Sequence, residues 1–121
     1  MSKKILVVED TEDNRQILRD LLTAAGYDMI EAHDGAEGVA KASEHSPDLI
    51  LMDIQMPVMD GYEATRRIKA DPALKAIPVI AVTSYALSGD EDKARAAGCD
   101  GYVAKPFSPR QMLAKVREIL G

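Results

Sequence analysis

Asp48-Leu49-Ile50-Leu51-Met52-Asp53, near the middle of the chain, sets four consecutive apolar residues between two carboxylates. A run so short and so uniformly apolar fits a strand buried on both faces, and it meets a charge long before membrane-spanning length. Four similar segments flank it: Lys4 to Val8, Asp28 to Ala32, Val79 to Val82 and Gly101 to Ala104. Between them lie stretches whose apolar residues recur at helical spacing. The clearest is Asp13 to Ala25, in which Ile17, Leu18, Leu21, Leu22 and Ala25 form one stripe and Gly26 supplies the stop. Asp34 followed by Glu37 reads as a capping box that opens a second helix running to about His45. A third helix is expected from Tyr62 to Ala70, closed by Asp71-Pro72, and a fourth from Gly89 to Ala97 with Gly98 behind it. The fifth, Ser108 to Leu120, has Pro109 in its first turn and buries Met112, Leu113, Val116, Ile119 and Leu120.

Five strands alternating strictly with five helices predict an α/β fold, a doubly wound parallel sheet, because parallel neighbours need crossovers and a helix is the usual one. In such sheets ligands bind beyond the carboxyl ends of the strands, where strand order reverses. The residues at those ends are Glu9-Asp10 after the first strand, Asp53 after the third, Thr83 after the fourth and Lys105-Pro106 after the fifth. Taken singly each has an ordinary explanation, since acids flank strands, Thr favours them and Lys is common at edges. All of them fall at the same end, which coincidence does not explain.

Carboxylates packed together repel unless a cation or a shared proton relieves them. A hard, oxygen-seeking divalent ion suits an all-carboxylate set, and Mg²⁺ is the natural choice where phosphate is handled. With a carboxylate nucleophile, a lysine and a hydroxyl beside it, the set has the parts for phosphoryl transfer to aspartate: Asp53 attacks, while Lys105 and Mg²⁺ neutralise the charge on the transferring group.

Composition agrees and narrows the field. At 121 residues the chain has the size of one domain, here expected to span 1–121 with no effector domain. Twenty acidic against fifteen basic residues give a formal net charge of −5, which argues against direct nucleic-acid binding. Cys99 has no cysteine to pair with, and His33 and His45 lie at no zinc spacing from it. The apolar stretch Ile5 to Val8 ends in Glu9-Asp10 and is no signal peptide, so a cytoplasmic protein without a membrane association is expected.

With these residues in place, the chain resembles the response-regulator receiver domains of two-component signalling. The likeness runs from Lys4-Ile5-Leu6-Val7-Val8-Glu9-Asp10 through Asp48 to Gly61, then Val82-Thr83, to Lys105-Pro106-Phe107. It implies a flavodoxin-like five-stranded sheet in the order 2-1-3-4-5. It also implies that Asp53 is the phosphoacceptor, that Glu9, Asp10, Asp53 and the backbone carbonyl of Gln55 hold Mg²⁺, and that Lys105 and Thr83 contact the phosphoryl group. Tyr102 would be the aromatic partner of Thr83 in the switch, and the Lys105-Pro106 bond would be cis. The donor would be a histidine kinase or a histidine phosphotransfer protein. The output would be a protein target reading the face of the fourth helix, fifth strand and fifth helix. Ser88-Gly89-Asp90-Glu91 and Gly98-Cys99 are similar to single-domain regulators of the DivK type. Two residues after Thr83 stands Tyr85, whose ring would slow water attack on the phosphorylated form.

Such a protein is not an enzyme in the usual sense, although it promotes its own phosphorylation and dephosphorylation. A haloacid-dehalogenase-type phosphatase also uses a strand-end aspartate with Mg²⁺. It would need a second acid two residues later, where this chain has Gln55. A flavin or nucleotide carrier would need a loop able to cradle phosphate, whereas Glu9-Asp10-Thr11-Glu12-Asp13 is acidic. A phosphorylation-independent scaffold is the remaining alternative.

Overall fold

Each apolar segment becomes a strand because its alternate residues find apolar cover on opposite sides of one sheet. The computed structural model describes residues 3–56, 59–83 and 90–120, with residues 90 and 91 described by backbone alone. The elements are β1 (Lys4–Val8), α1 (Glu12–Ala24), β2 (Asp28–Ala32), α2 (Gly35–His45), β3 (Leu49–Asp53), α3 (Gly61–Ala70), β4 (Val79–Thr83), α4 (Asp90–Ala97), β5 (Gly101–Ala104) and α5 (Pro109–Leu120). All strand pairs are parallel, as the alternation of strands and helices predicts, and the order is β2-β1-β3-β4-β5, the one the family resemblance implies. Every residue of β3 and β4 is buried, whereas the edge strand β2 keeps only Ala32 fully covered.

Two apolar layers hold the sheet. Ile5, Val7, Leu49, Leu51, Ile80 and Val82 face Leu18 and Leu22 of α1 and Met112 and Val116 of α5. Leu6, Val8, Ile50, Met52 and Val79 face Ala42 of α2 and Ala64 and Ile68 of α3. Alternation along β1 and β3 assigns odd and even positions to opposite layers, so a one-residue slip of either strand would exchange them.

Helix starts follow local chemistry. Asp34 caps α2 by accepting from the Glu37 N–H at 2.7 Å, and Glu37 reaches back to the N–H of His33, one residue before the cap. Ser108 and Gln111 form the reciprocal pair at α5, with Pro109 as the first helical residue. At α3 the cap is Asp60, which accepts from Glu63 N–H, so that helix begins one residue earlier than its apolar pattern suggested. Gly98 ends α4 in the left-handed region at φ 105°.

One expected core residue is not in the core. Ile17 is 56% exposed, while Leu18 and Leu22 are buried. Successive helix positions turn by about 100°, so Ile17 lies on the neighbouring row with Asn14 and Leu21; Leu21 packs against the core, while Asn14 and Ile17, nearer the start of α1, line the space beside Asp53.

Gly61 decides how closely α3 approaches the end of β3. Its N–H donates to the Ile54 carbonyl at 3.1 Å, and a Cβ built on it would lie 2.3 Å from the Asp53 carbonyl oxygen and 2.9 Å from Ile54 Cα. Those neighbours are backbone and cannot rotate away. Gly61→Ala is therefore expected to lower stability by about 1–3 kcal/mol, measured as a drop in the urea midpoint.

Candidate functional site

Parallel register brings the strand-end residues level. Val8 stands opposite Met52, Asp53 opposite Val82 and Thr83 opposite Ala104, so Glu9, Asp53, Thr83 and Lys105 converge at one end of four strands. The crossover direction reverses between β1 and β3, the position at which doubly wound sheets bind ligands. Carboxylate oxygens of Glu9, Asp10 and Asp53 lie within 4.8 Å of one another, with Glu9 and Asp53 buried and Asp10 exposed. Lys105 Nζ is 3.2 Å from Glu9 Oε1 and 3.6 Å from Asp53 Oδ2. The Lys105-Pro106 peptide is cis.

Burial and charge do opposite things to the two acids. Burial, and then the adjoining Glu9 carboxyl, push Asp53 well above the ordinary aspartate value against the pull of Lys105 and the Gln55 N–H. Burial also opposes ionisation of Glu9. Its contact with Asp53, the Asn14 amide and Lys105 together outweigh that penalty and hold Glu9 below the usual glutamate value. Metal-free, the pair is best described as holding one proton between two carboxyls, with the proton favouring Asp53. Glu9 Oε2 is buried and no amide, ammonium or guanidinium donates to it, so beyond the proton shared with Asp53 a cation is what would relieve it. The donor set is entirely oxygen, which fits Mg²⁺.

Two residues that the sequence did not single out support Glu9. Asn14 Nδ2 donates to Glu9 Oε1, and Arg15 Nη1 donates to the Glu9 backbone carbonyl at 2.7 Å. Arg15 also meets Glu12 at 2.6 Å and Glu31 at 3.4 Å, tying the loop after β1 to the first turn of α1 and to β2. Thr11, the residue preceding α1, makes no side-chain cap, so this guanidinium does much of the holding. Their one signal in the sequence is position: five and six residues after Glu9, they fall on the opening turn of the helix that follows it.

Gln55 contacts both Asp53 and Thr83. Its N–H donates to Asp53 Oδ1 at 3.3 Å and its side-chain amide donates to Thr83 Oγ1 at 2.8 Å, linking the loop after β3 to the end of β4. Thr83 is fully buried. Tyr102 pairs in register with Ala81, two residues before Thr83, so Thr83 and Tyr102 belong to the same sheet face. There Tyr102 packs against the cluster of Ile54, Ala81 and Ala94. Tyr85 and the Ser88-Gly89 part of the resemblance lie outside the described residues.

A response regulator receiver domain model matches residues 5–117. The chain belongs to the response regulator receiver domain family. Its curated relatives include the polar-differentiation response regulator DivK of Brucella ovis and of Brucella suis, each 46% identical over 121 residues, covering 100% of this chain and 98% of theirs. Among solved structures, the receiver domain of the Pseudomonas aeruginosa sensor histidine kinase PA1611 superposes with a TM-score of 0.93 at 36% identity, covering 100% of this chain and 99% of that one. That protein has a magnesium ion coordinated in its active-site cleft. Vibrio cholerae chemotaxis protein CheY4 also superposes with a TM-score of 0.93, at 31% identity over 98% of this chain and 99% of its own. This receiver is thus a phosphorelay response regulator of DivK-like type, not a member of a conventional enzyme family, and neither the phosphatase nor the scaffold alternative gains support. Among the described residues no helix is long and apolar enough to cross a membrane.

The raised Asp53 carboxyl makes the metal-free receiver sensitive to pH. Below the ordinary aspartate range this acid is protonated whether the chain is folded or not, and it costs nothing. As pH rises from there towards about 8, the unfolded chain ionises freely while the native pair resists, so native stability falls. Asp53→Asn is expected to be the more stable form in chelator, by an amount that is small at pH 4 and grows as pH rises towards 8. Thermal melts across that range check it, and added Mg²⁺ should narrow the gap by stabilising the wild type.

Proposed function

We propose that this receiver accepts a phosphoryl group on Asp53 from a histidine kinase or histidine phosphotransfer protein, and that the resulting acyl phosphate alters a partner-binding face. The observation that carries the reading is the buried pair itself: Lys105 Nζ stands 3.2 Å from Glu9 and 3.6 Å from Asp53, while no amide, ammonium or guanidinium donates to Glu9 Oε2. A site built only for stability would not bury an unpaired carboxylate oxygen.

Glu9, Asp10, Asp53 and the Gln55 backbone carbonyl would hold Mg²⁺, which when bound supplies charge neutralisation to the non-bridging phosphoryl oxygens. An Asp53 oxygen attacks phosphorus as its bond to the donor's imidazole nitrogen breaks, and the imidazole leaves with that electron pair. Lys105 is the cation beside Asp53 and meets the growing anionic charge. Thr83 then turns its O–H to a phosphoryl oxygen, a donor role left open by the bond it accepts from the Gln55 amide. Because Thr83 and Tyr102 share a sheet face, that movement frees room for the Tyr102 ring to turn inward. Gln55, whose N–H already meets Asp53, would influence water attack on the phosphorylated form.

The output face would be α4, β5 and α5. The described side chains of α4 bury only Ala94 and Ala97, so little apolar area anchors that helix. A shallow groove of about 170 Å³ between α4 and β5 is lined by Arg95, Asp100, Tyr102 and Lys115, a polar surface that a protein partner can read. The chain's net charge of −5 argues against nucleic acid as that partner.

Incubation with acetyl phosphate and Mg²⁺ should add one phosphoryl mass to the wild type and none to Asp53→Asn, by intact mass spectrometry. Chelation should abolish the gain. Asp10→Ala should fold normally and need higher Mg²⁺, because Asp10 is exposed and its removal relieves repulsion. Hydrogen exchange in α4 and β5 should change on phosphorylation by more than in α2; unchanged exchange there would assign the output elsewhere.

A further inference from the structure

The cavity beside Asp53 is larger and far more apolar than a phosphoryl group needs. Its volume is about 410 Å³, within the range of small-molecule sites. Asp53 and Lys105 stand in its wall together with buried Val7 and Leu18 and the more accessible Ile17 and Phe107. Ile17 is the one exposed large hydrophobic residue among those described, and it faces this space. Leaving an isoleucine 56% exposed brings no stability, yet it extends the apolar wall from the sheet outward to solvent.

We propose that this cavity is an acyl subsite: it takes the hydrocarbon part of small acyl phosphates, so that donors with an apolar chain phosphorylate Asp53 more efficiently than acetyl phosphate does. The inference rests on Asp53 being the phosphoacceptor. Its support is complementarity of both halves of such a donor. The anionic phosphoryl group meets the Lys105 ammonium, 3.6 Å from the attacking carboxylate, and the chain meets Val7, Leu18, Ile17 and Phe107. The transfer is balanced without a further reactant. A bond forms between an Asp53 oxygen and phosphorus, the bond from phosphorus to the acyl oxygen breaks, and the carboxylate product leaves with the electron pair. Acetyl phosphate has a single methyl group and leaves most of the wall uncovered. A chain of four carbons adds two methylenes, each worth about fourfold in binding when fully buried.

The experiment compares acetyl and butyryl phosphate on the full chain with saturating Mg²⁺, following the rate of mass gain against donor concentration. The two leaving carboxylates are nearly equally basic, so intrinsic reactivity is matched and the half-saturating concentration reports the chain's contact. Butyryl phosphate is expected to half-saturate at about tenfold lower concentration, and Ile17→Ser to reduce that ratio at least threefold. Butyrate, which cannot react, should shift the Ile17 and Val7 methyl resonances of the wild type. Equal half-saturation by the two donors, or a preference that Ile17→Ser leaves intact, overturns the subsite while the phosphoacceptor reading stands. Failure of both donors to label Asp53 overturns the two together.

Discussion

Two carboxyl groups, Glu9 and Asp53, are held side by side in a space that water reaches poorly, with one ammonium, Lys105, to balance them. Neither acid would choose this arrangement. It persists because each sits at the end of a strand whose preceding residues are locked into a fully buried parallel sheet, and the apolar area those strands bury exceeds what the misplaced charge costs. The pair is thus an excess of negative charge maintained by the core. Its chemistry follows from the ways that excess can be relieved: a proton, a cation, or conversion of one carboxylate into an acyl phosphate in the presence of a cation.

The surroundings show how such a strained pair is kept in shape. Asn14 and Lys105 share one oxygen of Glu9 and leave the other without a donor, so the carboxylate is oriented rather than fully satisfied. Arg15 holds the Glu9 backbone from the first turn of α1 and is itself clamped by Glu12 and Glu31. On the other side, Gln55 joins the loop after β3 to Thr83. Gly61 lets α3 press against the carbonyl of Asp53, where any side chain would force the backbone apart. The acids are therefore supported from β2, α1, α3 and β4 at once, and a change of charge on Asp53 acts on elements that reach well beyond the pocket.

Much of this was legible in the chain itself. The strands announced themselves because both faces of β1, β3 and β4 are covered, which removes alternation and leaves unbroken apolar runs. The cap at Asp34 was legible because it acts within four residues of itself, whereas Ser108 read only as the start of the last helix and its cap on Gln111 came from the structure. Asp60 was harder: it stands in a loop full of turn residues, and the apolar pattern of α3 begins after its cap. Ile17 misled, because helical periodicity sorts residues into faces without saying whether the neighbouring element extends far enough to cover the end of the face. The partners of Glu9 were not legible, since an amide and a guanidinium near the start of a helix look the same whether they meet solvent or a buried carboxylate.

Residue order alone determined the alternation of strands and helices, the end of each strand at which charge collects, and the chemistry those residue types can perform, because these depend on local periodicity and on spacing along the chain. The tertiary structure decided which strands are neighbours, which oxygen of Glu9 is left without a donor, how far Lys105 stands from each acid, and that an apolar cavity opens beside Asp53. Those facts are set by register and packing between elements separated by as many as 96 residues, as Lys105 and Glu9 are. A contact made across that distance leaves no periodic trace in sequence, because its energy depends on where folding brings the two residues and not on what lies beside either of them.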